Sequence, residues 1–290
     1  MRDQDIQVIK IQEKMLDIML YFQKFCEDNG LSFTLTGGTC LGAIRHKGFI
    51  PWDDDVDIFM LRDDYEKLPE LWKMNADTER YSCVRSDDKI NIHHSATEIK
   101  DNNTTFINRH SIDSDIHQGV MIDIIPLDGV AEGKIASFMQ MFYAMLYCCF
   151  NFQRLPEHKS KMTYFITKIA LSVVRSDKTR YKIWKYCENK LAQYKISDHP
   201  MVASFGEGLT IMRQHLPKEW FTDPVYAEFE GHMMPIPADA DKYLTIAYGD
   251  YMKLPPEEEQ VARHDIVFID LDNSYKKYRG IKYLVNSDKK

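Results

Sequence analysis

Neither a GxxxxGK[ST] loop nor a GxGxxG turn occurs in the 290-residue chain, which removes the commonest phosphate-cradling motifs of ATPases and dinucleotide enzymes. A basic excess is missing too. Lys and Arg total 37 against 44 Asp and Glu, for a net charge of -7, whereas phosphate-tracking surfaces need local positive excess. Nucleic acid is therefore not an expected partner, although a small anion held by a few cations is compatible. The six cysteines (Cys26, Cys40, Cys83, Cys148, Cys149, Cys187) form no CxxC and no disulfide framework, so they read as reduced thiols, mostly buried. Met1-Arg2-Asp3-Gln4-Asp5 is charged and lacks an apolar core, so no secretory leader is expected and the protein reads as cytoplasmic. Long apolar runs are also scarce. The one candidate, Ile135 to Phe152, is interrupted by Ser137, Gln140 and Asn151 and sits at the lower limit for a bilayer span. Its aromatics, Met and Cys suit a core helix or a groove; peripheral contact with the inner face of a membrane through 135–152 is the alternative reading.

What is present has an ordered pattern. Val8, Ile11, Met15, Ile18, Met19, Phe22 and Cys26 have helical spacing, closed by Asn29-Gly30, a good helix stop. Leu31 to Thr36 alternates like a strand, Gly37-Gly38 breaks it, and Thr39 is placed to cap a helix running to His46. Asp55 to Leu61 reads as a second strand, followed by a charged helix from Asp63 to Met74. Further strands are expected at Tyr81–Ser86, Asn91–Lys100 and Val120–Ile125, then a helical stretch from Gly133 to Tyr194. Beyond Pro200 six prolines punctuate an irregular segment. The predicted class is α+β with an α/β-type core.

Chemistry concentrates in Thr36 to Ile58, TGGTCLGAIRHKGFIPWDDDVDI. On a strand, Asp55 and Asp57 project to one side while Val56 and Ile58 face the other. Carboxylates this close repel unless a cation lies between them, and oxygen ligands of this kind suit Mg²⁺ or Mn²⁺. Just upstream, Gly37, Gly38 and Thr39 can bring backbone N–H groups and a helix N-terminus to an anion. Taken alone, a Gly-Gly is a turn and a DxD is a solvated acidic stretch; their conjunction in this order suits transfer at phosphorus. A calcium loop is disfavoured, because Ile58 and Asp64 stand where an EF-hand needs Gly and Glu.

Asp123 interrupts the apolar run Val120 to Ile125, a costly position unless the carboxylate is paired or metal-bound. It is the expected third metal ligand or general base; a carboxylate satisfied by a local backbone turn is the plainer alternative. Asp128, in Leu127-Asp128-Gly129, reads as a turn residue.

These residues resemble a known family. GGTCLGAIRHKGFIPWDDDVDI and MIDIIPLDG are similar to the two motifs of the LicD family, named for bacterial phosphorylcholine transferases and related to fukutin-related proteins; YGDYMKLPPEEE followed by His264 resembles a third segment. The resemblance implies a nucleotidyltransferase fold, a polymerase-β-like mixed sheet with flanking helices and a helical insertion. It also implies metal-dependent transfer of a phospho-alcohol from a CDP-activated donor such as CDP-choline. The acceptor would be a hydroxyl of a cell-surface glycan (teichoic acid or lipopolysaccharide) or its lipid-linked precursor, with CMP released. Asp55, Asp57 and Asp123 would be the metal-binding acids. Arg45, His46 or Lys47 offers charge for the donor diphosphate, Lys100 is a weaker phosphate candidate, and His264 is an acid/base or phosphate candidate. Trp52 reads as a loop anchor, and Tyr248 and Tyr251 are available for an aromatic cage around a quaternary ammonium. The expected organisation is a catalytic core over 1–132, a helical subdomain over 133–199, and a segment over 200–290 that packs back and completes the site. Two rival readings are nucleotide transfer with release of pyrophosphate and a non-catalytic nucleotide- or glycan-binding module.

Overall fold

The computed structural model describes residues 3–153, 161–262 and 265–285. Helix α1 (Asp3–Asn29) buries Ile11, Met15, Ile18, Met19 and Phe22 along one stripe. Gly30 ends it at φ +65, with Leu31 N–H donating to the Cys26 carbonyl at 2.9 Å, the left-handed stop that glycine supplies. Strand β1 is shorter than its alternation suggests (Thr34–Leu35), and α2 spans Gly37–His46. The Gly-Gly pair is thus the first turn of the helix instead of a break before it. Strand β2 (Asp57–Leu61) and α3 (Arg62–Asn75) follow, then β3 (Tyr81–Val84), β4 (Thr97–Asp101), β5 (Thr105–Asn108) and the long β6 (Met121–Gly129).

The main sheet runs β1-β2-β6-β4-β3, with β2 and β6 parallel and the other neighbours antiparallel. Register sorts the side chains into two faces. Ile58 opposes Ile124 and Ile99 opposes Ile122, all fully buried. Helices α1 and α3 pack together through Trp72, which meets Phe25 at 4.6 Å and Tyr21 at 5.8 Å between ring centroids. On the opposite face, one rung carries Asp57, Asp123 and Glu98 on three adjacent strands.

Three helices follow, α4 (Lys134–Phe152), α5 (Lys161–Val173) and α6 (Asp177–Ala192). The segment 135–152, read as a core or groove helix with peripheral membrane contact as the alternative, is packed on one side only. Helix α4 is long and apolar enough to cross a membrane, but only 28% of its apolar window is buried. It packs through Ala144, Tyr147 and Phe150 while Ile135 and Phe138 stand exposed. Gln140 fixes it to the end of β6, donating to the Gly129 carbonyl at 2.7 Å and accepting from Ala131 N–H at 2.8 Å.

Asp128 is likewise no solvated turn residue. It is buried on β6 and takes two hydrogen bonds from the Arg62 guanidinium, at 2.7 and 2.8 Å. Arg62 also lies 3.5 Å from Glu188 of α6, which accepts from Arg85 and Lys185 at 2.7 Å each. Burial alone would raise the Glu188 carboxyl, but Arg85, Arg62 and Lys185 outweigh it and hold it down at about 2.

The remaining chain is more ordered than its prolines suggest. Strand β7 (Met201–Ala203) pairs with β6, then come α7 (Leu209–Met212), β8 (Leu216–Pro217), α8 (Glu219–Thr222), the hairpin β9 (Val225–Phe229) and β10 (His232–Ile236), α9 (Ala240–Tyr248) and β11 (Ile266–Asp270) on β5. Phe221 of α8 and Tyr243 of α9 meet Phe59, the residue two beyond Asp57. They cover the deep part of the acidic face and leave its rim open. None of the six cysteines, all among the described residues, is in a disulfide; Cys26, Cys40 and Cys187 are buried, and the other three are half-buried.

Candidate active site

Glycine is required twice in the first turn of α2. Gly37 has φ +53, a conformation that side chains with a Cβ disfavour. At Gly38 an added Cβ would lie 2.6 Å from Asp53 Oδ2, so a carboxylate rests directly on that backbone. Helix geometry leaves the Gly38 and Thr39 amides without an intrahelical acceptor, and Gly38 lies on the wall of a cavity of about 590 Å³.

Asp53, Asp55 and Asp57 all line that cavity. Asp54, Val56 and Ile58, the intervening residues, are buried. The extended segment therefore presents three alternate carboxylates, although β2 itself begins only at Asp57. Asp123 is brought beside Asp57 by parallel register, with its N–H donating to the Val56 carbonyl at 2.8 Å. Burial, then Asp55 and Asp123, push the Asp57 carboxyl well above its ordinary range. Burial also raises Asp123 to about 6; Glu98 and Asp55 add to this, while His94 and Lys100 oppose it. Asp123 Oδ1 is buried without a hydrogen-bond partner. An oxygen-only donor set with an orphaned carboxylate oxygen and mutual repulsion fits a hard divalent cation.

Two hydroxyls hold the arrangement. Thr39 does not cap α2; its Oγ1 accepts from Asp57 N–H at 2.9 Å and so ties the Gly-Gly helix to β2. Tyr243 Oη lies in hydrogen-bond contact with Thr36 Oγ1 and accepts from Gly37 N–H at 3.0 Å.

Of the cations, Arg45 lines the same cavity and donates through Nη1 to the Tyr251 carbonyl at 2.7 Å. Lys47 does not line it: it closes α2 at φ 57 with its ammonium 3.5 Å from Glu228. Lys100 is buried beyond Asp123, 3.0 Å from Glu98 Oε2 and donating to the His117 carbonyl at 3.1 Å. His264 lies outside the described residues. Trp52, Tyr248, Tyr251 and Lys253 also line the cavity that holds Arg45, with Asp250 and Glu259 adding further acids.

A second cavity of about 210 Å³ opens on the other side of Asp123, lined in part by His94, Glu98 and Lys100. Ligand atoms of His94, Glu98 and Asp123 lie within 4.8 Å of one another, a cluster able to hold a divalent metal. Sequence reasoning missed His94, Glu98, Asp53 and Tyr243. For Asp53 the signal existed, since it continues the i, i+2 alternation of Asp55 and Asp57. For Glu98 and Tyr243 only strand register and tertiary packing carry the information.

Comparison with known proteins agrees with this geometry. Residues 30–128 match the family model described as LicD/FKTN/FKRP, nucleotidyltransferase domain. The chain is 32% identical over 257 residues to the lipopolysaccharide cholinephosphotransferase LicD of Haemophilus influenzae, covering 86% of this chain and 92% of that protein. A short stretch of 43 residues is 42% identical to an uncharacterized protein of Rickettsia prowazekii, covering 15% of this chain and 16% of that one. With a relative matched across nearly its whole length and the acidic motif in place, the chain belongs to the LicD family.

Proposed function

We propose that the protein transfers a phospho-alcohol, phosphocholine or a close analogue, from a CDP-activated donor to a hydroxyl of a glycan acceptor and releases CMP. The observation that carries this is the pair Asp55 and Asp57 on one cavity wall beside Gly38 of the glycine turn, with Asp123 in register next to Asp57. The nearly full-length likeness to a cholinephosphotransferase supports the choice of reaction.

Asp55, Asp57 and Asp123 would hold Mg²⁺ or Mn²⁺, which when bound neutralises charge on the donor diphosphate and on the departing nucleotide. The first-turn amides of α2 at Gly38 and Thr39 and the Arg45 guanidinium bind diphosphate oxygens. Trp52, Tyr248 and Tyr251 give that cavity aromatic walls for a base or a quaternary ammonium. The acceptor enters from the His94 and Glu98 side. Asp123, standing between the two cavities, takes the proton of the attacking hydroxyl on a carboxylate oxygen. The hydroxyl oxygen of the acceptor then bonds to the phosphorus carrying the alcohol as the bond from that phosphorus to the CMP oxygen breaks.

Thermal unfolding against CDP-choline, CDP-ethanolamine, CDP-glycerol and CDP-ribitol, with Mg²⁺ or Mn²⁺, tests the donor class without an acceptor. One CDP-alcohol at a hundred times its Kd adds about 2.7 kcal/mol, and Asp55→Asn/Asp57→Asn abolishes the metal-dependent part. Response to nucleoside triphosphates alone, with pyrophosphate as product, would establish nucleotide transfer in its place.

A further inference from the structure

The exposed apolar residues of α4 and α5 have no place in the transfer chemistry. On α4, Ile135, Phe138 and Phe142 recur at helical spacing and face outward; on α5, Phe165, Ile166 and Val173 do the same. Phe138 and Val173 remain 70% and 74% exposed. Apolar surface on this scale in two consecutive, contacting helices marks a binding face.

Charge says what covers it. In a chain with more acids than bases, neither α4 nor α5 contains a single Asp or Glu. The cations Lys134, Lys168 and Arg175 are exposed at the start of α4, within α5 and just beyond it. The neighbouring acids in sequence, Glu132, Glu157 and Asp177, lie outside both helices, Glu157 also outside the described residues. A second copy of the chain docked by symmetry through this face would set one acid-free, cationic surface against another. An anionic bilayer would instead pair each of them with lipid phosphate while accepting the aromatic side chains.

We infer that α4 and α5 together form a docking face for an anionic membrane surface, lying in the interface without crossing it. Spanning is opposed by the inner side of α4. There Gln140 bonds the end of β6, Asn91 donates to the Asn151 carbonyl at 3.0 Å, and Tyr147 donates to the Ser95 carbonyl at 3.3 Å. Extracting the helix would break all of these in hydrocarbon, where nothing replaces them. The proposal is independent of the transfer reading, since a membrane-docked protein of any activity would carry this surface.

Vesicle flotation of the full chain tests it, using phosphatidylcholine alone and phosphatidylcholine with about 30% phosphatidylglycerol. The chain floats with the anionic vesicles, and salt releases it as screening grows. Phe138→Ser and Phe165→Ser each weaken binding roughly tenfold, and Lys168→Glu weakens it more than fivefold, with CDP-donor thermal shifts unchanged as the control for folding. Absence of flotation with either vesicle overturns the proposal. So does a concentration-dependent dimer by light scattering that Phe138→Ser dissociates, because the face would then belong to a second copy.

Discussion

Replacing Asp123 by Asn should make the metal-free protein more stable, in a window of pH that the site itself sets. In the folded chain burial and neighbouring acids raise the Asp123 carboxyl from 3.8 to about 6. A raised carboxylate pKa means that folding disfavours the ionised form. The cost is fully present above about pH 6, shrinks as the folded state takes up its proton, and disappears below the unfolded value near 4. At 1.36 kcal/mol per unit, the penalty at pH 7 is about 3 kcal/mol, or roughly 5 °C in Tm for a chain of this size. Asn keeps the shape and removes the charge. Urea unfolding of wild type and Asp123→Asn in EDTA should therefore show the variant ahead at pH 7, the gap closing towards pH 4. Added Mg²⁺ should reverse the order by stabilising the wild type only. A gap independent of pH, or a variant less stable than wild type at pH 7 in EDTA, would refute the assignment of Asp123 to an uncompensated carboxylate cluster.

Gly38→Ala should cost at least tenfold in kcat/KM with little loss of stability, because the new methyl must displace the Asp53 carboxylate that lies 2.6 Å away; steady-state kinetics beside thermal unfolding separates the two effects. Tyr243→Phe removes the partner of both Thr36 and Gly37 and should lower stability by about 1–2 kcal/mol and kcat further, measured in the same pair of assays. Arg62→Met strands Asp128 in the interior, while Glu188 keeps Arg85 and Lys185, and should destabilise by about 3–5 kcal/mol in urea. Protonating Glu188, held down at about 2, removes its share as pH falls from the unfolded carboxyl value near 4.5 towards 2.

Much of the fold was legible because it rests on local pattern. The α1 stripe, its Gly30 stop and the alternation through Asp53 to Ile58 are all written at short range. The start of α2 was misplaced because Thr39 satisfies the rule for a helix cap, while its hydroxyl is taken by Asp57 N–H from the next strand. Asp128 looked like a turn residue for the same reason: its partner Arg62 is 66 positions away. The reading of α4 stayed open between core, groove and membrane contact because composition alone does not distinguish a helix enclosed by protein from one packed on a single side. Within the site, Asp55, Asp57 and Asp123 stand out by spacing and by a lone acid in an apolar strand, whereas Glu98 and His94 join Asp123 only through antiparallel register and a loop.

The contact of Tyr243 with Thr36 and Gly37 also has a consequence during synthesis. The glycine turn and the hydroxyl that fixes it are separated by 207 positions from Thr36 to Tyr243. At about 5–20 residues per second, a ribosome needs roughly 10–40 s to pass from one to the other. Throughout that interval the acidic strand and its glycine turn are already made but lack the residue that locks them. Phe59, beside them, also lacks the aromatic cover of Phe221 and Tyr243 until late in translation. A nascent chain of this protein is thus incomplete at its reactive centre until nearly its last fifth emerges, and truncated products should be inactive even when they contain every carboxylate.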